Sequence, residues 1–413
     1  MLLLLPSSTY RARDFVSAAH SLGVEVVVAS DRRQALSAAM GDRTLTLPLR
    51  RPTEAADRIE ALHARTPLDA VVAVDDHGVR VAALAATRLG LRGNPSRAAE
   101  RTRDKAAMRA ALASAELPQP AYRVLAPGDD VAALARAVGL PCVIKPVALS
   151  ASRGVIRADS AAEAAAAAER VRSILAEAGE PPDAPLLVER YLPGQEVAVE
   201  GLLRSGELEL LALLDKPDPL EGPYFEEALF VTPSRHPPEL QAEMRRVAAA
   251  AAAALGLREG PVHAELRTDG RRVWVLELAA RSIGGLCSRA LRFGAGVTLE
   301  EVILRHALGL PLEDLRRERA AAGVMMMPIR TAGVLERVGG QGEARAVPGI
   351  VGLEISIVPG RPVRPLPEGD RYLGFLFARA NTPALVEQAL REAHSLLDIR
   401  IGLPQERLAG ARG

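Results

Sequence analysis

The hydrophobic positions near the amino terminus form short apolar runs separated by stretches with helical periodicity. Residues 2–5, 24–29 and 70–74 read LLLL, VEVVVA and AVVAV, and more polar segments lie between them. Apolar runs that alternate with helices are typical of βαβ units, which bury both faces of a parallel sheet. We therefore predict an open parallel α/β domain for roughly the first hundred residues, with residues 2–5 as a buried first strand.

Strands and helices are mixed in the rest of the chain. Residues 93–120 predict a loop, one helix and a stop marked by prolines. Residues 141–146 (PCVIKP) predict a buried strand, and residues 382–397 predict a helix near the carboxyl end. We predict three domains, at residues 1–103, 104–310 and 311–413.

Two β-hairpins are predicted in the central domain. Residues 196–215 alternate around a Ser-Gly turn, and residues 261–278 alternate around the turn TDGR. Strict alternation in the second hairpin places Val273, Val275 and Glu277 on one face of its outgoing strand.

The overall composition excludes several kinds of partner. The 413 residues have a formal net charge of +1, whereas binding to nucleic acid or to an acidic membrane requires a basic stripe. The two cysteines, Cys142 and Cys287, fit no zinc or disulfide pattern. The opening run of four leucines is too short for a signal sequence or a membrane span. We therefore predict a cytoplasmic protein whose partners are small molecules, with no nucleic acid and no membrane, and leave a homodimer open.

Lysine is very scarce, and its few positions are therefore informative. Among 52 basic residues only Lys105, Lys145 and Lys216 are lysines, and all the others are arginines. Asparagine is equally rare, which points to drift towards residues with GC-rich codons. A lysine that remains is expected where a compact ammonium is needed and a planar guanidinium does not fit.

Lys145 ends the predicted buried strand and precedes a loop of small residues, LSASRG. An ammonium at the root of such a loop is suited to phosphate binding, because the loop amides and the hydroxyls of Ser150 and Ser152 can donate hydrogen bonds. The order G-x-x-x-x-G-K-[ST] of a Walker loop is absent, and the first crossover lacks G-x-G-x-x-G, which argues against NAD binding near Asp31.

Four glutamates lie at the ends or turns of the predicted strands. Glu189 ends the strand LLVER, and Glu196 follows it seven residues later. Glu265 and Glu277 lie on the paired strands of the second hairpin. Two inward carboxylates that are so close would repel each other unless a divalent cation lies between them.

The lysine and its small loop, the segment ERYLPGQE and the hairpin HAE…ELAAR resemble, in this order, the ATP-grasp superfamily. Within it they are most similar to the carboxylate–amine ligases of the L-amino acid ligase group, which form dipeptides. The resemblance covers most of the chain. It implies an ATP-grasp fold of the α/β class with α+β lobes, an amino-terminal open parallel α/β domain and a mixed α+β carboxy-terminal domain. It also implies ATP and Mg²⁺, with Mn²⁺ as an alternative, and amide-bond formation through an acyl phosphate.

The resemblance also implies roles for individual residues. Two lysines, Lys105 and Lys145, match those that contact the ATP phosphates, and Lys216 matches more loosely a lysine near the terminal phosphate. Glu265 and Glu277 match the metal ligands. The remaining matches are to the adenine edge (Glu189, Arg190 and Leu192), the ribose hydroxyls (Glu196) and the transferring phosphoryl group (Arg281).

Several positions near these motifs allow more than one interpretation. Arg153 is either a phosphate contact beside Gly154 or a solvent-facing side chain. His263 either orients a substrate carboxylate or is a structural histidine of the hairpin. Gly284 and Gly285 precede a predicted helix that begins near Cys287, so their amides are candidates for binding a substrate carboxylate.

The chain departs from the family pattern in two places. Leu149 and Ala151 replace glycines of the small loop, and Ala279 stands where many relatives have an asparagine, which puts a second magnesium ion in doubt. Two other functions remain open: an ATP-grasp carboxylase of the purine or biotin type, and an ATP-binding module without catalysis.

Overall fold

A parallel sheet forms the amino-terminal part of this computed structural model, which describes residues 1–33, 43–312 and 314–402. Its elements are β1 (Leu2–Leu4), α1 (Ala12–Ser21), β2 (Val27–Ser30), β3 (Thr44–Thr46), α2 (Pro52–His63), β4 (Val71–Ala73) and α3 (Asp76–Leu89). Within the described residues the strand order is β3-β2-β1-β4, and every pairing is parallel. The prediction of an open parallel α/β domain is confirmed, and its first strand is fully buried.

The second strand begins later than its apolar run predicts. The backbone N–H of Val24 donates a hydrogen bond to the carbonyl of Ala19 at 2.9 Å. Val24 therefore still belongs to the turn that closes α1, and regular pairing with β1 starts only at Val27.

The single helix predicted within residues 93–120 is wrong, because two helices, α4 (Ser96–Arg103) and α5 (Lys105–Ser114), meet at Asp104. Asp104 has an extended backbone, and its carboxylate accepts hydrogen bonds from the amides of Ala106 and Ala107. A side-chain cap of this kind starts a new helix. The break also lets the backbone N–H of Lys105 donate to the carbonyl of Val147 at 3.0 Å, which joins α5 to the small loop.

A small antiparallel sheet follows, and it contains the strand that ends at Lys145. Its elements are β5 (Tyr122–Leu125), α6 (Val131–Val138), β6 (Cys142–Pro146), β7 (Ile156–Ala158), α7 (Ala161–Glu177) and β8 (Leu186–Arg190), with the strand order β5-β8-β6-β7. One face packs on α6 and α7 through side chains such as Ile144, Val171 and Val188. The other face is left for the candidate site described below.

A long antiparallel sheet of eight strands forms the centre of the described part of the molecule. Its strands are β9 (Gln195–Arg204), β10 (Glu207–Lys216), β11 (Leu229–Thr232), β12 (Gly260–Thr268), β13 (Val273–Ala279), β16 (Ala321–Met327), β18 (Ile350–Ile355) and β20 (Gly374–Ala380). In the described part of the chain their order is β13-β12-β9-β10-β11-β16-β20-β18, with antiparallel pairings. Both predicted hairpins are present as β9–β10 and β12–β13.

The remaining elements cover this sheet or pair beside it. They are α8 (Pro238–Leu255), a 3-10 turn (Cys287–Ala290), β14 (Arg292–Phe293), β15 (Val297–Thr298), α9 (Leu299–Ala307), β17 (Gly333–Gly339), α10 (Gln341–Ala346), β19 (Pro362–Val363), α11 (Pro383–Ser395) and β21 (Asp398–Gly402). Residues 313 and 403–413 of the predicted third domain lie outside the described residues. No helix in the described ranges is long and apolar enough to cross a membrane.

Candidate active site between the two sheets

A cavity of about 120 Å³ lies between the small sheet and the β12–β13 end of the long sheet. The small sheet contributes Lys145 and Glu189 to its wall, and the loop after β6 contributes Ser150 and Ser152. The other predicted residues on the wall are Lys105, Arg190, Leu192, Glu196, His263, Glu265, Glu277 and Arg281. The predicted residues Arg153, Gly154, Lys216, Gly284 and Gly285 do not line it.

Lys145 and Arg109 share one buried carboxylate. The ammonium of Lys145 lies 2.7 Å from Oε2 of Glu189, and Nε of Arg109 lies 2.6 Å from Oε1. Burial alone would raise the pKa of Glu189, but the two cations lower it to about 2, whereas burial lowers the pKa of Lys145. Glu189 is therefore an anion that holds Lys145 at the root of the loop.

Lys105 faces Lys145 across the same cavity. Its ammonium donates a hydrogen bond to the carbonyl of Leu149 at 2.6 Å and lies 3.1 Å from Oε1 of Glu277. Because α5 begins at Lys105, Arg109 follows one turn later on the same helix face. One helix thus supplies two cations to the site, of which the sequence analysis identified only the first.

Glu265 and Glu277 are directly opposite residues of the β12–β13 ladder. Both are partly exposed to the cavity, and each has a cationic neighbour, Lys216 at 3.8 Å from Glu265 and Lys105 at 3.1 Å from Glu277. Paired carboxylate oxygens are the donors that Mg²⁺ prefers. The donor set therefore fits a divalent cation, with Glu265 and Glu277 as the residues that would hold it.

The alternation predicted for Val273, Val275 and Glu277 is wrong because β13 contains a bulge. Val275 pairs with Leu266, whereas Glu277 pairs with the adjacent Glu265, so one extra residue lies on β13. An extra residue shifts the alternation of the strand beyond it. Val273 and Val275 consequently share the buried face with Leu278, and Glu277 points to the cavity.

Lys216 lies beneath a cluster of carboxylates. Its buried ammonium lies 3.1 Å from Oε2 of Glu196 and 3.8 Å from Oε1 of Glu265, and it forms an ion pair with Glu227. Burial favours the neutral amine, but the carboxylates raise the pKa of Lys216 above its usual range. Burial and the neighbouring anions raise the pKa of Glu227 to about 7. The positive charge of Lys216 thus partly neutralises the negative charge of these carboxylates.

Glu196 lines the cavity as a buried carboxylate, with one oxygen within 4.8 Å of oxygens of Glu227 and Glu265, and the segment after β8 lies beside it. Oε1 of Glu196 accepts a hydrogen bond from Arg267 at 2.6 Å, and Arg267 also donates to the carbonyl of Leu192 at 2.7 Å. The amide of Arg190 donates to the carbonyl of Ala121. Arg267 thereby holds Leu192, which is predicted to contact adenine, close to Glu196, which is predicted to contact ribose.

His263 is held by a carboxylate and does not face the cavity freely. Its Nδ1 pairs with Glu200, whose other oxygen accepts a hydrogen bond from the amide of Ile283 at 3.0 Å, and its Nε2 lies 3.6 Å from Glu265. Burial would lower the pKa of His263, but Glu200 raises it to about 9. His263 is therefore a cation at neutral pH. It links Glu265 to the loop that follows β13.

Arg281 is positioned by a residue of the amino-terminal domain. Its guanidinium lies 3.0 Å from Oδ2 of Asp76, and Arg103 lies 3.1 Å from Oδ1 of the same carboxylate. Burial would raise the pKa of Asp76, but the two arginines hold it well below its usual range. Asp76 is the first residue of α3, so the parallel sheet directly sets the position of Arg281.

Asp76→Asn should lower turnover by roughly tenfold, about 1.4 kcal/mol in the barrier, while ATP affinity changes less. The amide keeps the size of the side chain but removes the anion that holds two guanidiniums. The matched control is Asp75→Asn, because Asp75 caps α3 and asparagine caps equally well. Equal turnover of the two variants would contradict a positioning role for Asp76.

The loop after β6 contacts the carboxy-terminal domain. Ala151 and Ser152 adopt positive φ angles of 58° and 54°, and the amide of Gly154 donates to the carbonyl of Pro367 at 2.9 Å. Arg153 lies 3.8 Å from Asp370, which places it against the carboxy-terminal domain and not on the cavity wall.

The amides of residues 150–152 should exchange at least about tenfold more slowly when an ATP analogue binds, a gain of about 1.4 kcal/mol in protection. The reason is that Ser150 and Ser152 line the cavity, where phosphate contacts would order their loop. Gly154 is the internal control, since its amide is already hydrogen-bonded. Hydrogen exchange that is unchanged at all of these amides would argue against a phosphate-binding loop.

The predicted helix after Gly284 and Gly285 is wrong. Residues Cys287–Ala290 form a short 3-10 turn, which is too short to have a substantial dipole. Gly285 has a φ angle of 58°, and a Cβ there would lie 2.9 Å from the ring of Phe375. Gly285 therefore serves the tight turn after Arg281, and Cys287 is a buried residue.

The sequence analysis missed six charged residues of the site. Three had usable signals. Asp76 follows a parallel strand, and Glu200 shares the inward face of β9 with Glu196 by alternation. Arg109 follows Lys105 at helical spacing. The others (Arg103, Glu227 and Arg267) have no local pattern that marks them.

Comparison with known families agrees with this geometry. Three family models match the chain: the ATP-grasp N-terminal domain over residues 16–93, the ATP-grasp domain over residues 138–290, and the L-amino acid ligase C-terminal domain 2 over residues 325–402. The chain belongs to the ATP-grasp superfamily. All residues that line its cavity, except Lys105 and Pro120, fall within the ATP-grasp match.

The sequence identity between this ATP-grasp chain and its individual relatives is low. Alanine–anticapsin ligase of Bacillus subtilis is 28% identical over 268 residues, which are 61% of this chain and 56% of the relative. The chain thus spans only about half the length of the bacterial alanine–anticapsin ligases that it matches.

Two solved structures show the similarity of the fold. An L-amino acid ligase from Bacillus licheniformis has a TM-score of 0.78 and 24% identity, covering 97% of this chain and 98% of its own. A carboxyaminoimidazole ribonucleotide synthase from Aspergillus clavatus, solved with ATP, has a TM-score of 0.73 and 17% identity, covering 96% and 97%. At these identities the likeness concerns the fold alone.

Proposed function

We propose that this protein is an ATP-dependent ligase that joins a carboxylate to an amine, most simply two amino acids, and releases ADP and phosphate. The observation that carries the proposal is the pair Glu265 and Glu277, directly opposite each other and facing Lys105 and Lys145 across one cavity. The similarity to alanine–anticapsin ligase, and the match of residues 325–402 to an L-amino acid ligase domain, support the choice of amino acids.

The first step transfers the terminal phosphoryl group of ATP to a carboxylate oxygen of the first substrate. The bond between the β–γ bridging oxygen and the γ-phosphorus breaks, ADP leaves with the electron pair, and an acyl phosphate forms. Lys105 and Lys145 neutralise the phosphate charge, and Arg281 stabilises the charge on the transferring group. A magnesium ion bound by Glu265 and Glu277 would supply further charge neutralisation at the phosphates.

The second step is attack of the amine on the acyl carbon. The new C–N bond forms, phosphate leaves with the electrons of the C–O bond, and the nitrogen loses a proton to give the amide. The chain contributes mainly by holding both substrates in position and by excluding water, which would hydrolyse the acyl phosphate. Glu196 and the Arg267-bound segment at Leu192 would hold the nucleoside end of ATP.

The experiment is a phosphate-release screen of the purified protein with Mg²⁺, ATP and all pairs of amino acids, followed by mass spectrometry of the products. We expect phosphate release that requires two amino acids and a product of the mass of a dipeptide. Phosphate release that depends on bicarbonate would favour a carboxylase instead, as the fold of the ribonucleotide synthase allows. ATP binding without any turnover would favour a non-catalytic module.

A further inference from the structure

A second cavity, of about 80 Å³, lies between α3, α9 and the first residues of β12. None of the described residues lines both this cavity and the one at the candidate active site. A bound water needs about 10–15 Å³, so the second cavity has room for a small molecule. Its walls are mainly apolar and include Val72, Val79, Ala83, Ala99 and Ile303.

His306 lines this cavity and has a hydrogen-bond donor without an acceptor. The amide N–H of Gly260 donates to Nε2 of His306 at 3.0 Å, so this nitrogen carries the lone pair. Burial lowers the pKa of His306, which keeps the ring neutral and its proton on Nδ1. Nδ1 is buried and has no partner in the part of the chain that the structure describes, and the residue is only 3% exposed.

Glu259, on the same wall, has an acceptor without a donor. Its Oε1 accepts a hydrogen bond from the amide of Ser205 at 3.1 Å, whereas its buried Oε2 has no donor among the described residues. Oε2 lies 3.1 Å from Nε2 of His306, but that nitrogen already accepts the amide of Gly260. Asn94 fixes this strand start through hydrogen bonds to the backbone of Glu259.

Arg92 places a cation at the mouth of the cavity. One of its nitrogens donates to the carbonyl of His306 at 3.2 Å, which anchors the guanidinium there. No carboxylate of the described ranges lies within salt-bridge distance of it, and the side chain is exposed. Its remaining N–H groups are therefore available to an anion, for which guanidinium geometry is well suited.

We propose that this second cavity binds a small aliphatic α-amino acid. The carboxylate would accept hydrogen bonds from Arg92 and from Nδ1 of His306, and the ammonium would donate to Oε2 of Glu259. The aliphatic side chain would pack against Val79 and Ile303. A neutral apolar ligand would leave both buried polar atoms without partners, which is costly, and a simple anion would leave Glu259 unsatisfied.

The test is calorimetric titration of L-valine into the full chain without nucleotide or metal. We expect one binding event per chain that His306→Gln weakens at least about tenfold, or about 1.4 kcal/mol. The glutamine oxygen can keep the hydrogen bond from the Gly260 amide, but the Nδ1 donor is lost. Isovalerate and isobutylamine, which each lack one charged group of valine, should also bind at least about tenfold more weakly.

Two further variants locate the binding. Ala279→Asn narrows the other cavity from its wall and should leave valine affinity unchanged. Ala307→Phe fills the second cavity from its wall and should abolish binding, which also serves if His306→Gln does not fold. The proposal is overturned if wild-type protein does not bind valine, if both second-cavity variants bind it as wild type does, or if Ala279→Asn abolishes binding. Because His306 and Ala307 line only the second cavity, a loss of valine binding in their variants does not depend on the proposed ligase reaction.

Discussion

Glu277→Gln should lower turnover by at least about a hundredfold, or about 2.7 kcal/mol in the barrier. In the structure Glu277 lies directly opposite Glu265 and 3.1 Å from the ammonium of Lys105. Glutamine keeps the size of the side chain but removes the charge that a magnesium ligand and a partner of Lys105 both need. The transferring phosphoryl group would then be less well neutralised, whereas much of the nucleotide contact remains.

The measurement compares turnover from phosphate release with the dissociation constant of ATP. We expect the first to fall much more than the second, because the lost interaction matters most in the transition state. Glu207→Gln is the matched control, since Glu207 is an exposed glutamate on the same sheet. If Glu277→Gln turned over at a rate near wild type, Glu277 would not be a metal ligand and the ligase proposal would lose its main support.

The placement of Glu265 and Glu277 on paired strands was predictable because a hairpin is a local structure. A short turn sets the register of the two strands that it joins, so the sequence TDGR between alternating runs was enough to pair them. The direct opposition of Glu277 to Glu265, and the side of the strand on which Glu277 lies, were not predictable in the same way, because the register at the turn alone would place Leu276 opposite Glu265. Both depend on the bulge between Val275 and Glu277, for which the run VWVLEL contains no glycine or proline signal.

Contacts between distant segments were the main omission. Asp76 and Arg281 are separated by 205 residues, and nothing in either segment specifies that they meet. Their contact depends on how the parallel sheet packs against the long sheet, which is a property of the whole core. The role of Lys216 shows the same limit, because its position beneath Glu227 follows from the pairing of β10 with β11 and not from its own sequence.

The break at Asp104 shows how a local signal can be present and yet be outweighed. Residues on both sides have high helix propensity, which favours one continuous helix. Aspartate is also a good helix cap. Here Asp104 starts a new helix, and the break leaves the amide of Lys105 to donate a hydrogen bond to the carbonyl of Val147. The sequence therefore allowed either outcome, and tertiary packing decided between them.

Lys145→Ala should weaken ATP binding by about 1.5–3 kcal/mol, because it would remove the charge-assisted phosphate contact that we propose for Lys145. It should also destabilise the fold, since Glu189 would be left with one cation in place of two. Thermal unfolding must therefore be measured beside ATP affinity. Lys105→Ala provides the comparison, because its ammonium also lines the cavity but does not contact Glu189.

Lys145→Arg distinguishes charge from shape and should also weaken ATP binding. Arg109 already donates to both oxygens of Glu189, through Nε at 2.6 Å and a terminal nitrogen at 3.3 Å. A second guanidinium would have to share that carboxylate with the first, and a planar fork needs more room than the buried end of β6 leaves. An ammonium can approach the remaining lone pair of Oε2 and still present two N–H groups to the cavity. This explains why a chain whose basic residues are nearly all arginine has a lysine at position 145, and ATP affinity equal to wild type in Lys145→Arg would refute the explanation.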